Sequence, residues 1–205
     1  MGIFVVFEGG EGVGKSTQAR LLYRRLLRAG YPAIFTHEPG GTPTGERVRR
    51  WLKSGAHLSP LAELFLFEAA RAQLACEVLL PALERGDSVV CDRFTASTLA
   101  YQGYARGLDL ELVYRLNREA SGGREPDIFV LLDLPVEVGL ARKPRHQADA
   151  FQRESVVFHQ RVRRAFLEMA QRDPERWLVV DGTRPRQQIA DEVWEWVKAL
   201  LESQG

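Results

Sequence analysis

Cysteine is nearly missing from this chain: Cys76 and Cys91 are the only two among 205 residues. Two cysteines make no disulfide framework, and they read as buried small apolar side chains of a protein kept in a reducing compartment. Net charge is missing as well, because 28 basic side chains face 27 acidic ones and leave a formal charge of +1. A general grip on polymeric nucleic acid rests on a basic excess, so no such polymer is expected as a partner. Long apolar runs are absent too. The first run, Ile3 to Phe7, has no basic flank before it and an acid, Glu8, directly after it, unlike a targeting segment. Nothing approaches the ~20 consecutive apolar residues that a bilayer span requires, which points to a soluble, cytoplasmic protein without membrane contact. Lysine is the last scarcity. Lys15, Lys53, Lys143 and Lys198 stand beside 24 arginines, a bias that composition alone explains. Arginine is nonetheless a planar fork suited to phosphate, whereas lysine is a compact point charge, so the position of each lysine carries information.

What is present is a sequence with 45% hydrophobic and 27% charged residues. At this length one domain over 1–205 can bury roughly 70% of the surface its unfolded chain exposes. Ile3-Phe4-Val5-Val6-Phe7 is continuous, β-branched and aromatic, which predicts a strand buried on both faces. Ala33 to Thr36, Ser88 to Asp92, Ile128 to Asp133 and Trp177 to Asp181 predict four more. Between them, Ala19, Leu22, Tyr23 and Leu26 recur at helical spacing with Arg20, Arg24 and Arg28 opposite, and Gly30 ends that helix. Helical periodicity returns near Gly45 to Leu52, from Leu61 to Leu83, and from about Gln187 to Leu201. This alternation predicts an α/β fold of three layers, a five-stranded parallel sheet flanked by helices. Ligands of such sheets bind beyond the carboxyl ends of the strands, so Glu8, Asp92, Asp133 and Asp181 are expected at one edge. An Asp after a strand is also an ordinary cap or turn residue. Arg142 to Ala150 is polar, basic and aperiodic, and reads as a short lid.

Gly9-Gly10-Glu11-Gly12-Val13-Gly14-Lys15-Ser16 matches G-x-x-x-x-G-K-[ST] and lies between a predicted strand and a helix, as the P-loop mechanism requires. The segment from Gly9 through Gly10, Glu11, Gly12, Val13 and Gly14 to Lys15, Ser16 and Thr17 is expected to cradle the phosphates of ATP at the positive end of that helix. Lys15 then reaches the β- and γ-phosphates, and the Ser16 hydroxyl ligates Mg²⁺. A regulatory GTPase also carries Asn-Lys-x-Asp after a later strand; Asp133-Leu134-Pro135 and Asp181-Gly182-Thr183 stand there instead. A small kinase needs a phosphate acceptor site and a basic lid, and both have candidates. Asp92 sits where a Walker-B acid helps hold the Mg²⁺ shell, and Arg93 presents a fork matched to a phosphate dianion. Phe67 and Arg71 are one helical turn apart, off the stripe of Leu61, Phe65, Ala72, Leu79 and Leu83. A ring there can stack on a base while the guanidinium reads its edge. Core packing for Phe67 and solvation for Arg71 explain the same letters.

With these residues gathered, the chain resembles the thymidylate kinases, which phosphorylate dTMP to dTDP. Phe7-Glu8-Gly9 leading into the phosphate loop, Glu38-Pro39-Gly40-Gly41-Thr42-Pro43, Phe67 with Arg71-Ala72-Gln73, and Asp92-Arg93-Phe94 carry the likeness. Ser97-Thr98-Leu99-Ala100-Tyr101-Gln102-Gly103, Pro126-Asp127 and the segment with Phe158, Arg161, Arg163 and Leu167 extend it over nearly the whole chain. The resemblance implies that Arg93 binds the dTMP phosphate, Phe67 stacks on thymine and Arg71 bonds its edge, with Ser97 and Gln102 nearby. It implies that Tyr101 packs against the deoxyribose and that Glu8 lies between the two phosphate sites. Some family members carry a catalytic arginine inside the phosphate loop, after the acid; here that place is Gly12. The chain is therefore similar to the bacterial type whose lid supplies the arginine, through Arg142 or Arg145. It departs from the family at His37 before Glu-Pro-Gly-Gly, at Ala70 and Leu74 around Arg71, and at Ala150 after Asp149, and Arg153 is a further lid candidate. A homodimer is implied as well. The alternatives are a kinase for another nucleoside monophosphate or a deoxynucleoside, or a P-loop switch without phosphoryl transfer.

Overall fold

Five strands form where the apolar runs predict them in the computed structural model, which describes residues 2–55, 57–142 and 149–203. They are β1 (Phe4–Glu8), β2 (Ala33–His37), β3 (Ser88–Asp92), β4 (Ile128–Asp133) and β5 (Trp177–Asp181). All pairings are parallel, in the order β2-β3-β1-β4-β5. Side chains of a strand alternate between faces, and that alternation builds two cores. Phe4, Val6, Val89, Cys91, Phe129 and Leu131 face one layer of helices; Val5, Phe7, Val90, Val130 and Leu132 face the other. Continuous apolar strands follow from burial on both sides. The outer strand β5 is an exception, with Val179 left 45% exposed.

The helices are α1 (Lys15–Arg28), α2 (Pro43–Lys53), α3 (Pro60–Leu74), α4 (Leu80–Glu84), α5 (Thr95–Thr98), α6 (Leu110–Ala120), α7 (Val136–Ala141), α8 (Val156–Arg172) and α9 (Arg186–Ser203). Helix α1 docks Ala19, Leu22 and Leu26 on one face of the sheet beside Ile189, Val193 and Val197 of α9. Helix α8 docks Phe158, Val162 and Phe166 on the other. Two stretches wind more loosely: Ala75–Leu79 joins α3 to α4 as a π-helical turn, and Leu99–Ala105 continues α5 in the same way. Among the described residues no helix is long and apolar enough to cross a membrane.

The apolar stripe divides: Leu61 and Phe65 on α3 are 40% and 52% exposed, whereas Leu79 is buried and Leu83 packs against the core. The buried residues of α3 include Glu63, Glu68 and Arg71 beside Leu64, Ala70 and Leu74, with Glu68 paired to Arg71 and Glu63 to Arg106. One sequence expectation is corrected here. Cys76 is exposed, and only Cys91 is buried. The π-helical turn carries Cys76 on its outer side, away from the sheet that encloses Cys91.

Register brings the strand ends together. Phe7 pairs with Asp92, Glu8 with Leu131, and Asp133 with Asp181. The chain departs from central β1 toward β2 and later returns to the other side through β4, which makes the end of β1 the crevice where such sheets bind ligands.

Candidate active site

The loop between β1 and α1 closes on its own backbone. Lys15 Nζ donates to the carbonyls of Gly9 and Gly10 at 3.0 and 2.5 Å, holding the ammonium where phosphate oxygens would meet it. Burial, then the nearby Arg93, lowers the Lys15 ammonium to about 8, against the pull of Glu11, Asp92 and Glu8. Ser16 Oγ donates to Asp92 Oδ2, so the expected metal pair is already in contact. Glu11, Gly12, Gly14, Lys15, Ser16 and Thr17 line one end of a cavity of about 440 Å³. Gly9, Gly10 and Val13 form the back of the loop, with Val13 in the core.

Gly12 has φ +70°, and a Cβ there would stand 2.0 Å from the carbonyl oxygen of Gly139. A Cβ on Gly139 would in turn stand 2.3 Å from the Glu11 carbonyl oxygen. The phosphate loop and α7 thus touch backbone to backbone. One residue beyond α7, Arg142 donates to Gly12 O at 3.1 Å and to Gly182 O at 3.3 Å. Arg145 lies outside the described residues.

Arg93 joins the two ends of the cavity. Its φ of 71° is the left-handed region for a residue with a side chain, a conformation that costs of order 1 kcal/mol or more and is kept where a side chain must be aimed. Its Nη1 donates to Gly9 O and Ser97 Oγ at 3.1 Å each. Its Nη2 donates to Glu11 Oε1 at 2.5 Å and Tyr101 Oη at 3.1 Å. Burial works to raise the Glu11 carboxyl, but Arg93 and then Lys15, with hydrogen bonds from Gln152 and Tyr101, hold it well below the usual carboxylate range. An anion already sits in the Arg93 fork.

The far end of the cavity is walled by Phe67, Thr98, Tyr101, Gln102 and Phe151. The Phe151 ring stands edge-on to both Phe67 and Tyr101, at 5.8 and 6.1 Å between centroids. The π-helical winding after α5 helps bring the consecutive Tyr101 and Gln102 to the same wall, a placement that α-helical spacing disfavours.

Two expected contact residues stand behind that wall. Glu8 is 0% exposed, and its carboxylate accepts from the N–H groups of Phe94 and Ser97 at 2.9 and 3.2 Å and from Ser97 Oγ at 2.6 Å. Burial raises its carboxyl, against Arg93, Ser97, Phe94 and Lys15. Arg71 is 1% exposed and fully engaged: Nη2 with Glu38 at 2.7 Å, Nη1 with Glu68 at 2.8 Å and with Asn117 Oδ1 at 2.6 Å. Neither lines the cavity. Burial pushes the Glu38 carboxyl up to about 7 against the attraction of Arg71.

The other strand-end acids have ordinary partners. Asp133 takes both nitrogens of Arg163 at 2.7 and 2.8 Å, and Asp181 caps the Thr183 N–H at 2.8 Å. Ala70 and Leu74 are core residues at 1% exposure each. His37 contacts Glu46 at 3.2 Å, while Arg49 anchors the Pro39 carbonyl at 2.9 Å. Sequence reading missed Arg49 and Lys53, which line the cavity from α2; their i, i+4 spacing with Leu52 between was the available signal. Lys53 pairs with Asp149 at 3.2 Å, joining α2 to the far end of the expected lid. Phe151 and Gln152 also line the cavity, and nothing in the sequence signalled them.

The thymidylate kinase family model matches residues 7–193. A thymidylate kinase of Thermomicrobium roseum is 50% identical over 204 residues, which are 98% of this chain and 97% of that protein. One from Deinococcus radiodurans is 48% identical over 195 residues, 94% of this chain and 95% of that protein. The crystal structure of thymidylate kinase from Ehrlichia chaffeensis superposes with a TM-score of 0.79 at 31% identity, covering 96% of this chain and 98% of that one.

Proposed function

The chain belongs to the thymidylate kinase family, and from that premise we propose how its cavity transfers the γ-phosphoryl group of ATP to dTMP, giving dTDP and ADP for dTTP supply to DNA synthesis. One observation carries the reading. A single cavity is lined by Lys15, Ser16 and Thr17 and by Phe67, Tyr101 and Gln102, with the Arg93 guanidinium bonded to Glu11 of the phosphate loop and to Tyr101.

ATP phosphates take the N–H groups of the loop from Gly9 to Thr17, and Lys15 gives up its carbonyl contacts to meet the β- and γ-oxygens. The dTMP phosphate takes the Arg93 fork from Glu11. The acceptor oxygen is already anionic, so no strong base is needed, and alignment with charge neutralisation carries the catalysis. Mg²⁺ takes oxygen ligands, keeps several waters and uses one or two protein groups beside substrate phosphates. The hydroxyl of Ser16 and the carboxylate of Asp92 are that kind of donor set, and these two residues would hold it. When bound, the ion neutralises charge on the phosphate oxygens.

Arg142, hydrogen-bonded to the Gly12 carbonyl, is the described lid arginine nearest the phosphate loop; we assign it the charge that develops during transfer. To the lid expected over 142–150, of which 143–148 lie outside the described residues, we assign the exclusion of water that limits ATP hydrolysis. Phe67 offers a face to thymine and Tyr101 crowds the sugar. Glu8 acts one step removed, by fixing Ser97 and Phe94, and Arg71 by fixing Glu38 and Asn117 beneath the base. The enzyme fits a cytoplasmic setting, with small nucleotides rather than polymers as ligands.

An assay of dTMP, dUMP, dCMP, AMP and GMP with ATP and Mg²⁺ is expected to give dTMP the highest kcat/KM. Preference for a purine acceptor, or ATP binding with no dTDP formed, would overturn the reading. The outward apolar side chains Trp51, Leu61 and Phe65, at 52%, 40% and 52% exposure on packed helices α2 and α3, support a homodimer. Sedimentation should give twice the 23.2 kDa chain mass, and Phe65→Glu should shift it toward monomer; a wild-type monomer at micromolar concentration removes the proposal.

A further inference from the structure

Gln102 lines the cavity but is only 1% exposed, so its amide is locked by what stands behind it. Its Nε2 donates to Glu63 Oε1 at 2.8 Å. Glu63 is itself 7% exposed on α3 and gripped by Arg106, whose Nε and Nη2 donate to its two oxygens at 3.2 and 3.1 Å. Arg106 is fixed in turn by Glu154 at 2.7 Å and by the Phe158 ring under its guanidinium at 4.9 Å.

A carboxylate paired with arginine accepts hydrogen bonds and donates none. The amide beside it must therefore turn its NH₂ toward Glu63, and the carbonyl oxygen of Gln102 is left facing away from it. That oxygen accepts no hydrogen bond from the described residues, yet it is not among the buried atoms left without a partner. It opens onto the cavity.

We infer that Glu63 is a specificity-determining positioning residue, which fixes the Gln102 amide so that an acceptor, not a donor, meets the substrate base. A pyrimidine whose N3 carries hydrogen, as in thymine, matches that acceptor. Cytosine presents a bare N3 lone pair and is refused. Without Glu63 the two amide orientations would be nearly equivalent, and Gln102 could serve either base. The inference rests on the dTMP reading above and adds to it the origin of discrimination at N3.

The test compares the KM for dTMP with the inhibition constant of dCMP against dTMP, in wild type, Glu63→Gln and Glu63→Asp. A glutamine at 63 can donate or accept, so it no longer dictates the amide. Glu63→Gln is expected to raise the KM for dTMP about tenfold and to shrink the dTMP-over-dCMP preference by about tenfold or more, the scale of one misdirected buried hydrogen bond. The KM for ATP should stay unchanged and kcat at saturating dTMP should move little. Glu63→Asp keeps the charge for Arg106 but withdraws it from the amide, so it gives the same shift in preference and serves if the first variant does not fold. An unchanged preference in a variant with wild-type melting, or equal losses for dTMP and dCMP, overturns the inference while leaving the dTMP reading intact. A wild-type enzyme inactive on dTMP overturns both.

Discussion

Arg93→Ala is expected to raise the KM for dTMP by about 10²- to 10³-fold, the scale for removing a charge-assisted fork from a buried phosphate. The KM for ATP should change by less than about fivefold, because the fork serves the acceptor side while Lys15 and the loop amides hold the donor. In the structure the guanidinium spreads its donors over Glu11, Ser97, Tyr101 and Gly9. A dianion outcompetes the single charge of Glu11 for that fork. Glu11, released or orphaned, still has Lys15 as a cationic neighbour, which is why the phosphate loop should survive the substitution. Arg93→Lys keeps the charge and loses the fork, so it should recover only part of the loss. Steady-state kinetics with each substrate varied in turn decides the matter. Equal losses for ATP and dTMP would contradict the assignment of Arg93 to the acceptor.

Lys15→Met should lower kcat by about 10³-fold, equivalent to about 4 kcal/mol of barrier, with the fold retained. Methionine fills similar space but carries no charge, and Lys15 is only 7% exposed. Solvent therefore compensates little of the lost charge. Of the other described lysines, Lys53 pairs with Asp149 and Lys198 faces Glu202 on α9, so neither offers a substitute; Lys143 lies outside the described residues. Single-turnover formation of dTDP, measured beside a thermal melt, tests this directly. A loss under tenfold would mean that the transferred charge is met elsewhere.

The donor half of the site was legible because it is contiguous. A phosphate loop is one strand end, one run of glycines and one helix start, and its chemistry follows from letters that adjoin. Strands β3, β4 and β5 were legible for a related reason, since burial on a parallel sheet makes each a continuous apolar run with a definite end. The acceptor half is assembled from α2, α3, the segment after β3 and the chain beyond 149, and its partners are distant. Arg71 meets Glu38 across 33 positions and Asn117 across 46. No periodicity reports such a pairing, so the burial of Glu63, Glu68 and Arg71 on α3 leaves no mark in the apolar pattern. Gln102 shows the limit most clearly: its letter suggested a base contact, but which end of the amide meets the base depends on Glu63, 39 residues away.

The contact between Gly12 and Gly139 has a consequence for how such an enzyme can change over evolutionary time. Any side chain at position 12 has to move the α7 backbone, since its first carbon would overlap the Gly139 oxygen. Helix α7 ends at Ala141, immediately before Arg142. Position 12 and the seat of α7 are thus coupled in this chain: a side chain at 12 is accommodated only if the helix ahead of Arg142 is reseated. If Arg142 meets the transferred charge as proposed above, a substitution at Gly12 and the placing of that arginine have to change together.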